Sequence, residues 1–273
     1  MTVIYISDFF LNEMNGGAEL SDSVVIKYLE GRGVKVKTVK SQTFNPTIHK
    51  ADTFIISNFV LLSEKNKRYF EENIDNYIII ERDQKYVKQR NTVEYPGFIA
   101  PKSQVVNREF YRSAKKVFCL TSKQMEIMNA HLEIKNIESL GCTQFSEGQL
   151  GYLSHRITYE KNEKYAIVEG KRQDKAIALC EREGFEYDVL YKSSWEKLID
   201  RLCEYKGIVF FSHAFESCCR LLIESKILGL KIITDNRNGC TYEPWFRDHS
   251  KFELLTFVST KTDETLNKIY SEL

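Results

Sequence analysis

Apolar positions in this chain fall into short runs separated by stretches of helical period, and the alternation continues almost from end to end. Val3–Ser7, Val34–Val39, Ala51–Ser57, Tyr77–Ile80, Val117–Thr121 and Ile137–Leu140 are rich in Ile, Val, Tyr and Phe. Short runs of this kind predict strands buried on both faces. Between them lie predicted helices: Ala18–Arg32, with Leu20, Val24, Ile26 and Leu29 as its apolar positions, then Glu64–Asn73, Ser103–Ser113, and Ser122 to about His131. Gly33 closes the first helix, and Ser122 is the expected cap of the last. Glu64–Asn73 has few large apolar residues and mixed charge, so it reads as an exposed helix.

The pattern breaks once, at Thr143–Lys164, which is polar and keeps no period. That segment reads as a crossing between domains. The alternation then resumes with strand Tyr165–Val168, a turn at Gly170, helix Asp174–Glu183, strand Tyr187–Leu190 and helix Trp195–Tyr205. Gly207–Phe211 is a further buried strand. Cys219, Leu222, Ile223 and Ile227 recur at helical spacing, Gly229 stops that helix, and Lys231–Thr234 is expected to be a second buried strand. Leu266, Ile269, Tyr270 and Leu273 form a helical stripe at the end. Two separate strand–helix alternations predict an α/β protein of two Rossmann-like domains, residues 1–150 and 151–273.

The chain has 273 residues, 42% hydrophobic and 28% charged, with a net charge of +1. That is the composition of a soluble globular protein. It excludes a global polycation, so any nucleic-acid contact must come from a local patch. The seven cysteines are not spaced as metal pairs, and they read as reduced core thiols of a cytoplasmic protein. No apolar run approaches the roughly 18 residues of a membrane span, and the N-terminus reads as a strand rather than a signal peptide. No membrane insertion is expected.

The candidate chemistry gathers where predicted strands end, which is where open α/β sheets bind ligands. Glu216 precedes a helix start and Glu224 lies eight residues later, roughly 12 Å along a helix. The helix start between them offers free N–H groups and a positive dipole end, suited to a diphosphate. One carboxylate is then placed for sugar hydroxyls and the other for a ribose. A plainer reading also fits: an acid favoured by the dipole, and an exposed Glu224 pairing with Arg220. The turn Glu169-Gly170-Lys171-Arg172-Gln173-Asp174-Lys175 sets three cations at a strand end. Gly16-Gly17 stands at a strand-to-helix turn, where glycine lets backbone approach a ligand closely. Strand Tyr77–Ile80 delivers Glu81-Arg82-Asp83-Gln84-Lys85-Tyr86.

Glu216-x7-Glu224, followed by Gly229-Leu230-Lys231-Ile232-Ile233-Thr234, resembles the donor-site signature of retaining GT-B glycosyltransferases of the family 4 type. Gly16-Gly17-Ala18-Glu19 resembles their glycine-rich first loop, and Ala114–Ser122 resembles the strand and capped helix near the end of their N-terminal domain. The resemblance implies two Rossmann-like domains facing across a cleft, with a C-terminal helix packed back on the first. It implies that Glu216 contacts the donor sugar and Glu224 the ribose. Arg172 and Lys175, with Lys171 as substitute, and Gly170, Gly16 and Gly17 are implied at the donor diphosphate. These enzymes usually place a His-Asp pair where this chain has Arg82-Asp83, so Asp83 inherits a catalytic place and the histidine's part is unassigned. Arg82 is too basic to act as a general base, but with Lys85 and Tyr86 it fits the acceptor side. The implied reaction moves a sugar from a nucleoside diphosphate to an acceptor hydroxyl with retention, needing neither cofactor nor metal. A nucleotide-sugar epimerase and a non-catalytic nucleotide-sugar binder remain alternatives.

The implied acceptor is a carbohydrate or small molecule, with duplex DNA as the alternative. Lys35, Lys37 and Lys40; Lys85, Lys88 and Arg90; and Arg108, Arg112, Lys115 and Lys116 are local basic clusters. They are interleaved with Tyr86, Tyr95, Phe98, Phe110 and Tyr111, the combination that phosphate binding and base stacking require. Small GT-B enzymes of bacterial viruses that glycosylate hydroxymethylated DNA bases are similar in size.

Overall fold

A computed structural model describes residues 1–170, 172–191 and 193–273. The chain divides into two compact units, Met1–Gln144 with Lys261–Leu273, and Phe145–Thr260.

The first unit contains β1 (Thr2–Ser7), α1 (Gly17–Gly31), β2 (Lys35–Lys40), β3 (Thr53–Ile56), α2 (Glu64–Asn73), β4 (Tyr77–Glu81), α3 (Arg108–Ser113), β5 (Lys116–Cys119), α4 (Ser122–Leu132) and β6 (Ile137–Ser139). Its strands form a six-stranded sheet in the order β2-β1-β3-β4-β5-β6, and every pairing is parallel. Val3–Ile6, Phe54–Ile56 and Ile78–Ile80 are buried throughout, as runs without alternation require. Phe70 of α2 is fully buried, with ring centroids 5.1 Å from Phe44, 5.2 Å from Phe54 and 5.3 Å from Tyr77. The charged face of α2 is therefore only half of it, because one aromatic carries the packing.

Two local expectations change. Ser103–Ser113 is not one helix: Val105 pairs antiparallel with Val87, and α3 begins only after Asn107, whose φ is 57°. The cap of α4 is Thr121, not Ser122, its side chain accepting from the Gln124 N–H.

The second unit contains α5 (Glu147–Ser154), β7 (Tyr165–Val168), α6 (Gln173–Glu183), β8 (Tyr187–Leu190), α7 (Trp195–Leu202), β9 (Gly207–Val209), α8 (Arg220–Ile227), β10 (Lys231–Ile233) and α9 (Pro244–Asp248). α10 (Lys251–Ser271) begins there, and its last part belongs to the first unit. In that unit Tyr28 Oη donates to Asn267 Oδ1 at 2.6 Å, and Lys115 Nζ to the Glu272 carbonyl at 2.6 Å. The polar segment read as a crossing holds α5, which a capping box starts: Ser146 accepts from Gln149 and Gln149 returns the bond. Only Leu150 and Leu153 of α5 are buried, too few to show a period.

The second sheet is parallel, in the order β10-β9-β7-β8. β9 is buried along its length, whereas β10 is an edge strand with Lys231 exposed and its isoleucines half-buried. The expected second buried strand is thus covered less fully, because no further strand lies outside it among the described residues. All seven cysteines are free and buried. Among the described residues no helix is long and apolar enough to cross a membrane.

Gly207 opens β9 against the Tyr165 ring. A Cβ there would stand 2.5 Å from Tyr165 Cε1 and 2.8 Å from the Lys231 carbonyl oxygen. Overpacking of this kind costs about 1–3 kcal/mol, and a backbone oxygen yields less readily than a side chain. Gly207→Ala is expected to lower unfolding free energy by about that amount in denaturant titrations, and Gly31→Ala, with open space around it, is expected not to.

Candidate functional site

In the second unit the carboxyl ends of β7, β9 and β10 bring charged side chains together. β7 runs into Gly170, with φ at 115°, and Arg172, with φ at 53°, before α6 begins. A left-handed arginine is uncommon and must be held by its surroundings. Here its N–H donates to His213 Nε2 at 3.2 Å. β10 runs into Asp235, and three cations converge on that one carboxylate. Asp235 Oδ2 lies 3.1 Å from Lys175 Nζ, 3.6 Å from Arg237 Nε and 3.9 Å from Arg172 Nη1. Lys175 Nζ also stands 4.1 Å from the centre of the Phe211 ring.

Glu216 is fixed by its backbone. Its N–H donates to the Arg237 carbonyl at 2.8 Å and its carbonyl accepts from Gly239 at 2.7 Å, in a parallel bridge to Asn238. Ser212 Oγ donates to Glu216 Oε1 at 3.1 Å. α8 starts after Glu216, with Cys219 as a cap residue whose side chain makes no cap hydrogen bond. Glu224 lies within α8. It pairs with Arg220 at 3.4 Å, the contact of the plainer reading, but buried rather than exposed. Trp195 Nε1 also donates to Glu224 Oε1 at 2.9 Å. Gly170, Arg172, Lys175 and Glu216 are thus linked through their neighbours; Lys171 lies outside the described residues. Sequence reasoning missed His213, Asp235 and Arg237. Each follows within four residues of a strand end, which was the available signal.

The first unit arranges its candidates differently. Gly16 precedes α1, and Gly17 is its first residue. The space that Gly16 leaves is filled from within: a Cβ there would meet Glu19 Oε2 at 2.3 Å. Burial raises the Glu19 carboxyl above its usual range, against backbone N–H bonds from Glu19 and Gly16. Beside this loop lies an open groove of about 700 Å³, with Phe10, Leu11 and Ile26 as apolar lining and Glu13, Glu19 and Glu30 among its charges.

Arg82 is buried, not displayed. Its Nε and Nη2 donate to Asp22 Oδ1 at 2.8 Å and 2.5 Å, and Tyr5 and Ser57 bond the same carboxylate. Burial opposes its charge, but Asp22 and Tyr5 outweigh that and hold the guanidinium above its ordinary pKa. Lys85 donates to Glu81 at 2.8 Å and Asp83 at 3.0 Å with its side chain 2% exposed. Tyr86 is fully buried beside Tyr111 and His131. Lys85 and Tyr86 therefore offer no surface to an acceptor, and Tyr86, Phe110 and Tyr111 are core residues on which no base can stack. Desolvation pushes Glu81 up to about 7, against the pull of Lys85; Tyr111 also bonds it.

No protein-family model matches the chain, and no curated protein matches it by sequence. Solved structures match its fold. The catalytic domain of starch synthase IV from Arabidopsis thaliana, bound to ADP and acarbose, aligns over 99% of this chain and 98% of that one, with a TM-score of 0.59 and 8% identity. Anabaena HepE in complex with UDP and glucose aligns over 96% and 89%, at 0.52 and 13%. An alpha-glucosyltransferase in complex with UDP and a 13-mer DNA containing an HMU base aligns over 99% and 90%, at 0.52 and 10%. The fold is that of the GT-B glycosyltransferases.

Asp22→Ala strands the buried Arg82 charge, and a loss of about 3–5 kcal/mol is expected; Asp22→Ala with Arg82→Met is expected to lose less. Glu81 binds more protons folded than unfolded between pH 4.5 and about 7. Its contribution to stability is therefore greatest in acid and declines as pH rises through that window. Denaturant titrations at pH 5 and pH 8 are expected to show Glu81→Gln gaining on the parent at the higher pH.

Proposed function

We propose that this chain is a glycosyltransferase that moves a sugar from a nucleoside diphosphate to an acceptor hydroxyl, with retention and without a metal or cofactor. One observation carries the reading: within a GT-B fold, Arg172 and Lys175 stand at the end of β7, tied through Asp235 and Arg237 to Glu216. The cations and the α8 N-terminus suit a diphosphate. Glu216 suits the sugar hydroxyls, and Glu224, oriented by Trp195 and Arg220, suits the ribose.

The chemistry needs no enzymatic nucleophile. The bond from the anomeric carbon to the phosphate oxygen breaks as the acceptor oxygen attacks the same face. The departing phosphate takes the acceptor proton. Charge grows on the leaving phosphate, and fixed cations stabilise it where it develops.

The acceptor is a small molecule or carbohydrate in this reading. The groove beside α1 has the size of a ligand site. Its charges are mixed, Glu13, Glu19 and Glu30 with Lys27 and Lys40, and Lys40 is already paired with Glu13 at 2.5 Å, so the groove offers no cationic track for a phosphate backbone. The exposed lysines of β2, Lys35 and Lys37, keep duplex DNA with hydroxymethylated bases as the second reading. Buried free thiols fit a reducing, cytoplasmic setting.

Incubation with UDP- and ADP-sugars, with and without candidate acceptors, tests the proposal. Slow donor hydrolysis alone and acceptor-dependent transfer are both expected; interconversion of the donor sugar would mark an epimerase, and binding without turnover a non-catalytic binder. Transfer to DNA containing 5-hydroxymethylcytosine would select the second reading. Arg172→Ala and Lys175→Ala are each expected to lower turnover on the order of a hundredfold. Glu224→Ala is expected to weaken nucleotide binding, and Glu216→Ala mainly to slow transfer; parental behaviour in both would remove the assignment.

A further inference from the structure

We propose that Asp235 is a built-in counter-anion: a positioning residue that gathers Arg172, Lys175 and Arg237 around the place of the donor diphosphate and limits how tightly they hold it. The inference rests on the nucleotide-sugar reading above. It adds Arg237 as a third phosphate-binding cation and gives Asp235 a part in product release.

Like charges do not converge without an anion among them. Two cations about 4 Å apart repel by about 1 kcal/mol in water and by several times that near a protein surface. Three of them nonetheless lie 3.1, 3.6 and 3.9 Å from one oxygen, Asp235 Oδ2. The cluster is not a buried structural knot: the side chain of Lys175 is 40% exposed, that of Arg237 26% and that of Asp235 18%. A ligand can therefore reach the cations.

Arg237 is held in that position from several sides. Its N–H donates to Asp235 Oδ1 at 3.2 Å, its Nη1 to the Ser212 carbonyl at 3.3 Å, and its own carbonyl accepts from Glu216. It thus joins the phosphate end of the site to the sugar end.

The charges explain why an acid belongs among phosphate ligands. Among the described residues, these three cations and one carboxylate leave two net positive charges, matching the two negative charges of a diphosphate diester. The departing nucleoside diphosphate carries more negative charge than the donor. Without Asp235 the cations would hold that product harder than the substrate, and product release limits the turnover of many enzymes. Asp235 offsets one cation in both states and keeps the product releasable.

Titration calorimetry of the whole chain with inorganic pyrophosphate, and separately with UDP, at low and high salt, tests this. Asp235→Asn is expected to bind pyrophosphate about tenfold tighter than the parent at low salt, with a steeper salt dependence. Asp235→Glu, which keeps the charge, is expected to stay near the parent, and Arg237→Ala to bind about tenfold more weakly. A merely structural aspartate predicts the opposite sign for Asp235→Asn, because loosened cations bind less well. Weaker or unchanged pyrophosphate binding in Asp235→Asn, or no binding by the parent, overturns the inference. UDP binding that ignores Asp235→Asn overturns it while leaving the nucleotide reading intact. The expected pyrophosphate responses without any UDP binding support the counter-anion and remove the nucleotide reading instead.

Discussion

A parallel sheet delivers the carboxyl ends of all its strands to one edge, and the candidate site depends on that constraint. In the second unit the edge collects residues far apart in sequence: Arg172 and Lys175 after β7, Ser212, His213 and Glu216 after β9, and Asp235 and Arg237 after β10. No one of these segments holds a site. Each supplies a charge or a hydrogen bond, and the sheet's register makes them neighbours. The Phe210 N–H bond to the Ile233 carbonyl at 3.0 Å carries the β9–β10 pairing past the strand ends, and the Glu216–Asn238 bridge extends it again. That continuation keeps the two loops at fixed separation.

The helix starts differ in their caps. α2, α4, α5 and α7 carry Ser or Thr caps, which satisfy first-turn N–H groups with the chain's own oxygen. α6, whose start carries Arg172 and Lys175, and α8, which follows Glu216, have no side-chain cap hydrogen bond. At α6 the first N–H groups bond within the chain instead: Gln173 donates to the Gly170 carbonyl at 2.9 Å and Lys175 to the Arg172 carbonyl at 3.1 Å. α1 also lacks a capping side chain from Gly16, but there Glu19 turns back into the space. The short α3 and α9 lack a side-chain cap hydrogen bond as well.

Much of the fold was legible because buried strands are short apolar runs and their helices keep a clear period. Tyr165–Val168 and Tyr187–Leu190 match their expected bounds, and most other elements lie within a few residues of theirs. α5 escaped because its start is a polar capping box and its buried residues are only two leucines. The break at Val105–Asn107 escaped because strand pairing with Val87 is a long-range event that local pattern does not carry. Of the site, the residues with a motif around them were visible: Glu216, Glu224, Arg172 and Lys175. Asp235, Arg237 and His213 were not, since a lone charge after a strand is common. The reverse error arose at Lys85 and Tyr86, where polar-looking residues after a strand turned inward to satisfy Glu81 and fill the core. A charge partner elsewhere in space decides that direction, and sequence order hides it.

The most direct test is a crystal structure of the chain with a nucleoside diphosphate. The account predicts the diphosphate at the turn before α6, in contact with Arg172, Lys175 and Arg237, and the ribose at Glu224. A nucleotide bound in the groove beside α1, or bound in the second unit without touching those cations, would contradict it.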